Sequence, residues 1–323
     1  MRLKLVPSNT SWDFFKFSHI SLGASALAMV VSIVLVFTMG LNFGIDFKGG
    51  TTIRTESSQP VDVGAYRQAI SALDLGDVSI TEVFDPSFGP GKNVAQIRIQ
   101  AQGDAESVTP ETIAALEQAL SGVDPSITFP SVESVGPKVS GELVTSAAIA
   151  VSLSILAMLV YIWLRFEWQF GLGAVVALIH DVTLTMGIFA GLQLKFDLAI
   201  IAALLTIVGY SVNDTVVVFD RVRENLRKFK KMALKDVLNL SINETLSRTT
   251  MTSFTTLLAL IALIVLGGDV IRGFVFAMTW GIIVGTYSSI FVAANILLML
   301  GVKRDWSKEG DGGAGTQFAN AER

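Results

Sequence analysis

The chain has 323 residues, of which 51% are hydrophobic and 16% charged, with a formal net charge of -4 and a mean hydropathy of +0.58. It is too apolar for a soluble protein of this length. The absence of cysteine excludes disulfides, thiolate metal sites and cysteine nucleophiles. The two histidines, His19 and His180, are too few and too far apart for a His-rich metal site, so no metal is expected.

The predicted elements begin with a basic N-terminal segment, 1–19, which carries Arg2, Lys4 and Lys16. An apolar stretch follows at 20–41. It is too long for the apolar core of a signal peptide and lacks a convincing small-residue cleavage site, so it reads as a retained signal anchor.

Segment 42–142 reads as a folded domain. Residues 51–56 alternate as a strand, 61–73 have helical period, and 78–84 and 93–100 are alternating strands about a Pro/Gly-rich turn. Thr109 caps a helix with Pro110 in its first turn, running to Leu120, and 127–135 is a last strand. The order βαββαβ is that of a ferredoxin-like α+β sandwich. The domain is acidic, which makes nucleic acid an unsuitable partner and fits a solubilising surface.

Five more apolar stretches follow, at 143–164, 170–192, 198–219, 249–266 and 274–300, so that 143–300 forms a five-helix membrane bundle. Between the fourth and fifth spans, 220–247 reads as a basic cytoplasmic loop with Arg221, Arg223, Arg227, Lys228, Lys230, Lys231 and Lys235. Lys303, Arg304 and Lys308 lie in a tail, 301–323, whose Gly-rich end, 309–323, is expected to be disordered. With six spans the basic segments share one side. The positive-inside rule makes that side cytoplasmic, with both termini on it and 42–142 opposite.

The spans carry packing signals. Gly187 and Gly191, and Gly281 and Gly285, place small residues one turn apart, which lets helices approach closely. The fifth span opens with Ser247, Thr249, Thr250, Thr252, Ser253, Thr255 and Thr256. Such hydroxyls either bond back to their own carbonyls or line a polar seam.

Charges inside these spans are the strongest functional signal, because an intramembrane carboxylate is costly and usually serves ion movement or a partner. Asp214, with Asn213 beside it, lies about 7 to 8 Å inside the end of its apolar stretch. Arg248 stands at the start of the next stretch, at a depth where the two can meet. Asp181 lies about 16 Å into the third span. His180 adjoins it, about 100° round the helix, so the two are not expected to face one partner. Asp214 and Arg248 can form a static ion pair, or Arg248 can snorkel to the headgroups. Alternatively, approach and withdrawal of Arg248 can switch Asp214 between its charged and neutral forms. Asn213, Asp181, His180 and Thr252 are supporting polar candidates, with structural hydrogen bonding as the alternative for each.

The run Gly44-Ile-Asp-Phe-Lys-Gly-Gly-Thr51 resembles a hallmark of the SecD/SecF protein-export family, a branch of the RND superfamily. Val208-Gly-Tyr-Ser-Val-Asn-Asp-Thr-Val-Val-Val-Phe-Asp-Arg-Val-Arg-Glu-Asn225 is similar to the SecF version of its fourth-helix motif. Leu246-Ser-Arg-Thr-Thr250 is similar to the start of the family's fifth helix and Val135-Gly-Pro-Lys-Val139 to the segment before its second, and the resemblance covers about 14–305.

The resemblance implies that Asp214 and Arg248 are proton-pathway residues and that Gly44, Asp46, Gly49 and Gly50 form the motif after helix one. It implies six transmembrane helices with a periplasmic ferredoxin-like domain, in a multi-pass protein of the bacterial inner membrane. The implied partners are SecD, the SecYEG channel, SecA indirectly, YajC as an accessory, and translocating preproteins. The proton-motive force would drive preprotein translocation and release, with protons as the coupling ion, sodium as an alternative and no cofactor. Rival readings are an RND exporter of small molecules or lipids, whose usual subunit has two six-helix halves, and a purely structural assembly subunit. An intramembrane enzyme is disfavoured, since the chain has no His-Glu-x-x-His motif and no Gly-x-Gly-Asp setting.

Overall fold

The computed structural model describes residues 10–76, 78–83, 91–100 and 108–302. Most of the turn expected between the two middle strands, the last residue of strand 78–84, the tail 309–323 and the cations Arg2, Lys4, Lys303, Arg304 and Lys308 lie outside the described residues.

Helix α1 (Ser18–Thr38) leads through a two-residue strand β1 (Asn42–Phe43) and a single turn α2 (Ile45–Lys48) into the α/β domain. There β2 (Gly50–Ser57), α3 (Val63–Ile70), β3 (Val78–Val83), β4 (Asn93–Gln100), α4 (Pro110–Val123) and β5 (Thr128–Val135) follow in the expected order. The sheet order is β3-β4-β2-β5, all neighbours antiparallel, as a ferredoxin-like sandwich requires. Ile53 on the central strand faces Ile97 and Val132 across the sheet. Alternation places Ile53, Ile80, Ile97 and Ile99 on the face covered by Tyr66, Ile70, Leu116 and Leu120. Helix α4 starts where Thr109 accepts a hydrogen bond from the Thr112 N–H, with Pro110 in the first turn.

Helices α5 (Pro137–Arg165), α6 (Trp168–Gly191), α7 (Leu198–Lys228), α8 (Leu234–Leu266) and α9 (Asp269–Ser288) complete the membrane body. A five-residue π-turn, Ser289–Ala293, joins α9 to α10 (Ala294–Leu300). A two-residue strand β6 (Lys195–Phe196) precedes α7 and pairs in parallel with β1. Among the described residues, α1, α5, α6, α7, α8 and the combined α9–α10 are the six helices long and apolar enough to cross a membrane.

The segment 220–247, expected as a loop, is mostly helix. Helix α7 continues to Lys228 and α8 already begins at Leu234. Hydropathy falls at Asp220 because charges appear there, but the helical period does not stop. Val222, Leu226, Val237, Leu238, Ile242 and Leu246 are all buried between the two helices and their neighbours. Most of the charges occupy the other faces, where Arg221 pairs with Glu244 at 2.7 Å and Glu224 at 2.6 Å, but Arg223 is buried and donates to the Arg165 carbonyl. Asn225 is buried and donates to Ser241 and Glu244. The N-terminal segment is tied to α8 as well, through Lys235 on Asp13 and the Phe14 N–H on Asn239.

Small residues set how closely the inner helices approach. A side chain at Gly281 would strike Ile207 of α7, and one at Gly187 would strike Ser32 of α1. At Gly285 an added Cβ would stand 3.3 Å from Ser211 Cβ. Helix α1 buries only Ser25 and Ser32, two residues small enough for close contact with α6 and α9.

Two outcomes follow from this packing. Gly281→Val should push α9 off α7 and cost about 1–3 kcal/mol by overpacking, seen as a lowered melting temperature in detergent, whereas Gly23→Val, with nothing within 4 Å, should not. In the domain, burial raises the Asp124 carboxyl, but hydrogen bonds from Ser57 and Ser126 outweigh it and hold the group below the usual carboxylate range. Its contribution is therefore full above the unfolded value of about 3.9 and is lost as pH falls through the lower folded value. Asp124→Asn should flatten that acid limb in a pH series of amide exchange over β2 and β5.

Candidate functional site

The inner helices α6, α7 and α9 enclose two carboxylates. Asp214, on α7, is 5% exposed. Its Oδ1 accepts from Thr249 Oγ1 of α8 at 2.9 Å, and its Oδ2 lies 3.5 Å from Ser289 Oγ of the π-turn, a hydroxyl that also reaches the Thr286 carbonyl at 3.0 Å. Asp181, on α6, is fully buried. Its Oδ2 accepts from Ser211 of α7 at 2.6 Å and from Ser288 of α9 at 2.8 Å, while its Oδ1 lies 2.9 Å from His180 Nδ1.

Consecutive serines thus serve different carboxylates, Ser288 on Asp181 and Ser289 on Asp214. A regular α-helix turns each residue about 100° from the last. Here the π-turn begins at Ser289 itself, and such turns in long helices often mark functional positions. Gly285, one turn before Ser289, has no side chain to obstruct either group. A Cβ there would meet Ser211 and Asp181 Oδ2, the latter at 3.6 Å.

His180 and Asp181 do bond to each other despite lying on adjacent positions, because the carboxylate and the imidazole both bend into the same interior. The His180 ring stacks on Tyr287 with centroids 6.2 Å apart. Tyr287 in turn donates to the Ser21 carbonyl and shares a 3.0 Å hydrogen bond with Ser25, both on α1. His180 Nε2 is buried with no hydrogen-bond partner. Hydrogen bonds thus link His180, Asp181, Ser211 and Ser288 beside the π-turn, while Tyr287 joins α1 by hydrogen bonds and touches His180 by ring stacking alone.

Three expectations from the sequence change. Arg248 does not pair with Asp214. Its side chain is exposed, and no ion pair reaches Asp214 among the described residues. A helix has only one buried face, and Thr249 occupies it on α8, leaving Arg248 one position round and outward. Asn213 is likewise turned out of the site, into a groove of about 470 Å³ lined by Ala157, Met158 and Tyr161 of α5. Thr252 is exposed and donates to the carbonyls of Arg248 and Thr249.

The hydroxyl-rich stretch of α8 accordingly divides by face. Thr249 and Ser253, four residues apart, point inward, with Ser253 bonded to Thr286 of α9 at 2.7 Å. Thr252, Thr255 and Thr256 bond back to their own helix. Ser211, Ser288, Ser289 and Tyr287 were not singled out from sequence. The signal available for them was helical spacing alone, Ser211 lying three residues before Asp214 and Ser288 three after Gly285.

The motif after helix one lies at the other end of α7. Asp46 accepts from the Leu198 N–H at 3.0 Å, capping that helix from outside it. Gly44 donates to the Phe196 carbonyl at 2.8 Å. Gly49 (φ 75°) and Gly50 (φ 132°) occupy backbone regions that residues with a Cβ rarely adopt, which lets the chain turn from α2 into β2. These four residues join the domain to the α6–α7 connection and do not touch the carboxylates.

Hydroxyls are the key to what the interior can do. A serine or threonine donates to a carboxylate and accepts from a carboxylic acid, so either protonation state of Asp214 remains hydrogen-bonded. A guanidinium partner would satisfy only the ionised form.

Fold and site together define the class, a polytopic membrane protein of six spans with one ferredoxin-like domain after the first. Residues 115–303 match the family "Protein export membrane protein SecD/SecF, C-terminal", and 34–61 match the "SecD/SecF GG Motif". The chain is 63% identical over 319 residues to protein translocase subunit SecF of Cereibacter sphaeroides, covering 99% of this chain and 98% of that one. It is 42% identical over 308 residues to the SecF of Rickettsia rickettsii, covering 95% and 97%. It is also similar to the crystal structure of SecDF, a translocon-associated membrane protein from Thermus thermophilus, with TM-score 0.80 and 34% identity. That likeness covers 93% of this chain but only 40% of the SecDF chain. The chain belongs to the SecD/SecF family, within its SecF branch.

Because Asp181 is fully enclosed, Ser211→Ala should leave it short of a donor and cost about 1–3 kcal/mol. The check is thermal unfolding of the purified protein, where Asp181→Asn added to Ser211→Ala should recover part of the loss.

Proposed function

We propose that this chain works as the SecF half of a SecD–SecF unit that uses the proton-motive force to promote preprotein translocation and release at the SecYEG channel. Family membership supports the role in protein translocation, and the SecDF likeness, spanning less than half of that chain, supports a SecD-type partner supplying the rest. In this reading the protein lies in the bacterial inner membrane. The basic ends of α7 and α8 and both termini are cytoplasmic by the positive-inside rule, and the α/β domain is periplasmic. SecA acts indirectly through the channel, YajC is an accessory, and the chain is a transport subunit with no catalytic chemistry of its own.

The observation that supports the proposal is Asp214 held by hydroxyls from two separate elements, α8 and the π-turn, with no ion-paired cation among the described residues. Taking up or releasing a proton exchanges donor for acceptor at Thr249 and Ser289, which biases how α8 and α9 sit against α7. Arg248, exposed one position from Thr249, is the nearby cation that a rotation of α8 would bring inward. Each charge moved across the potential supplies about 2.3 kcal/mol per 100 mV, comparable to the gap between two conformations of a bistable assembly.

Sealed vesicles containing the assembled complex test the proposal. Wild type should export a model preprotein faster when a proton gradient is imposed, up to about fiftyfold for one charge at 100 mV. Asp214→Asn, which keeps the side chain's shape, should assemble normally and lose that acceleration. Gradient-driven export by the Asn variant would overturn the proposal, and acceleration by a sodium gradient at constant pH would assign the site to sodium.

A further inference from the structure

Two cavities adjoin where the domain meets the membrane body, and together they have the chemistry of a lipid. The upper one, about 200 Å³, is polar and is lined by Asn42, Gly44, Lys48, Ser79, Arg98 and Gln100, with Phe43 among its walls. The lower one, about 300 Å³, is apolar and runs between α5, α6 and α7, lined by residues such as Leu41, Ala148, Val151, Met186 and Leu204, again with Phe43. The junction stands at the end of the bundle where α1 and α6 finish and α7 begins, which is headgroup depth on the side of the domain. Phe43, Phe47 and Phe196 cluster there with centroids 5.6 to 6.0 Å apart, as interfacial aromatic rings do.

The upper cavity has two cations in its wall and no carboxylate. Among the described residues neither Lys48 nor Arg98 forms an ion pair, and the Arg98 Nε is buried without a hydrogen-bond partner. Burial pushes the Arg98 guanidinium down from its ordinary value, and the Coulombic pull of Asp197 and Asp46 only partly offsets this. Neither carboxylate pairs with Arg98: Asp46 accepts from the Leu198 N–H, and Asp197 has its Oδ2 3.3 Å from Lys195 while its Oδ1 is buried without a hydrogen-bond partner. A half-buried guanidinium with an unpartnered Nε, facing a polar cavity, suits an anion, and the apolar groove beside it suits a hydrocarbon chain.

We infer that the Lys48–Arg98 cavity and the groove beneath Phe43 form one binding site for an anionic phospholipid of the leaflet on the domain side. Its phosphate sits between the Arg98 guanidinium and the Lys48 ammonium, and one acyl chain fills the groove between α5 and α7. The bound lipid would brace the domain against α7 at the segment that carries Gly44, Asp46, Gly49 and Gly50. The site is independent of how Asp214 is used.

Native mass spectrometry of the delipidated protein, alone and co-purified with its SecD-type partner, tests this with phosphatidylglycerol, phosphatidylcholine and inorganic phosphate as separate probes. One phosphatidylglycerol should be retained in preference to phosphatidylcholine, and Lys48→Gln with Arg98→Gln should weaken its retention by about tenfold or more. Lys48 is exposed, so Lys48→Gln alone keeps the fold and should give a smaller loss in the same direction. Ala148→Trp, which fills the groove without altering charge, should abolish retention too. Equal retention of both lipids, or retention indifferent to all these variants, overturns the proposal. Displacement of the lipid by inorganic phosphate at millimolar level would make the site one for a free anion. Loss of the SecD-type partner with Ala148→Trp, with lipid retained, would make the groove a helix interface.

Discussion

A carboxylate enclosed by membrane helices must draw its hydrogen bonds from the protein, because neither lipid nor bulk water can supply them. That requirement organises the bundle. Asp181 and Asp214 sit on α6 and α7, and their partners come from α6, α7, α8, α9 and the π-turn. The donors are all hydroxyls apart from His180, so they are short side chains that reach only if the helices are close. Gly281 and Gly285 supply that closeness by leaving α9 bare where it meets Ile207 and Ser211. Remove any of these and the hydrogen bonds cannot form at their present lengths.

The π-turn at Ser289–Ala293 gives the arrangement its asymmetry. Ser288 belongs to regular helix and is locked on a carboxylate that has three partners, whereas Ser289 belongs to the irregular turn and makes a long 3.5 Å bond to one that has two. The first site is fully furnished and the second is looser. A bundle with one rigid and one looser carboxylate can rearrange around the looser one without losing its core.

The other end of α7 is fastened to the domain. Asp46 caps that helix, β1 pairs with β6, and the two glycines with positive φ carry the chain into the central strand β2. One unbroken helix therefore links Asp214 to the base of the sandwich. Helix length matters here, since α7 runs without a break from Leu198 to Lys228.

The sequence by itself determined the spans, the α/β sandwich and the presence of costly charges among apolar residues, because each rests on local pattern. Alternation gave β2 to β5, Thr109 and Pro110 gave the start of α4, and the apolar runs located the six crossings. The same local reading misplaced the ends of α7 and α8, since hydropathy records charge and a helix with one buried stripe carries charges on its other faces. Which side of a helix faces inward is decided only by neighbours. Thr249 turned in and Arg248 out, Asn213 faced a groove on α5, and Ser288 and Ser289 became donors because α9 packs on α6 and α7. A hydrogen bond a few ångströms long between residues 107 positions apart, as Ser288 and Asp181 are, depends on the helix packing that only the tertiary structure fixes.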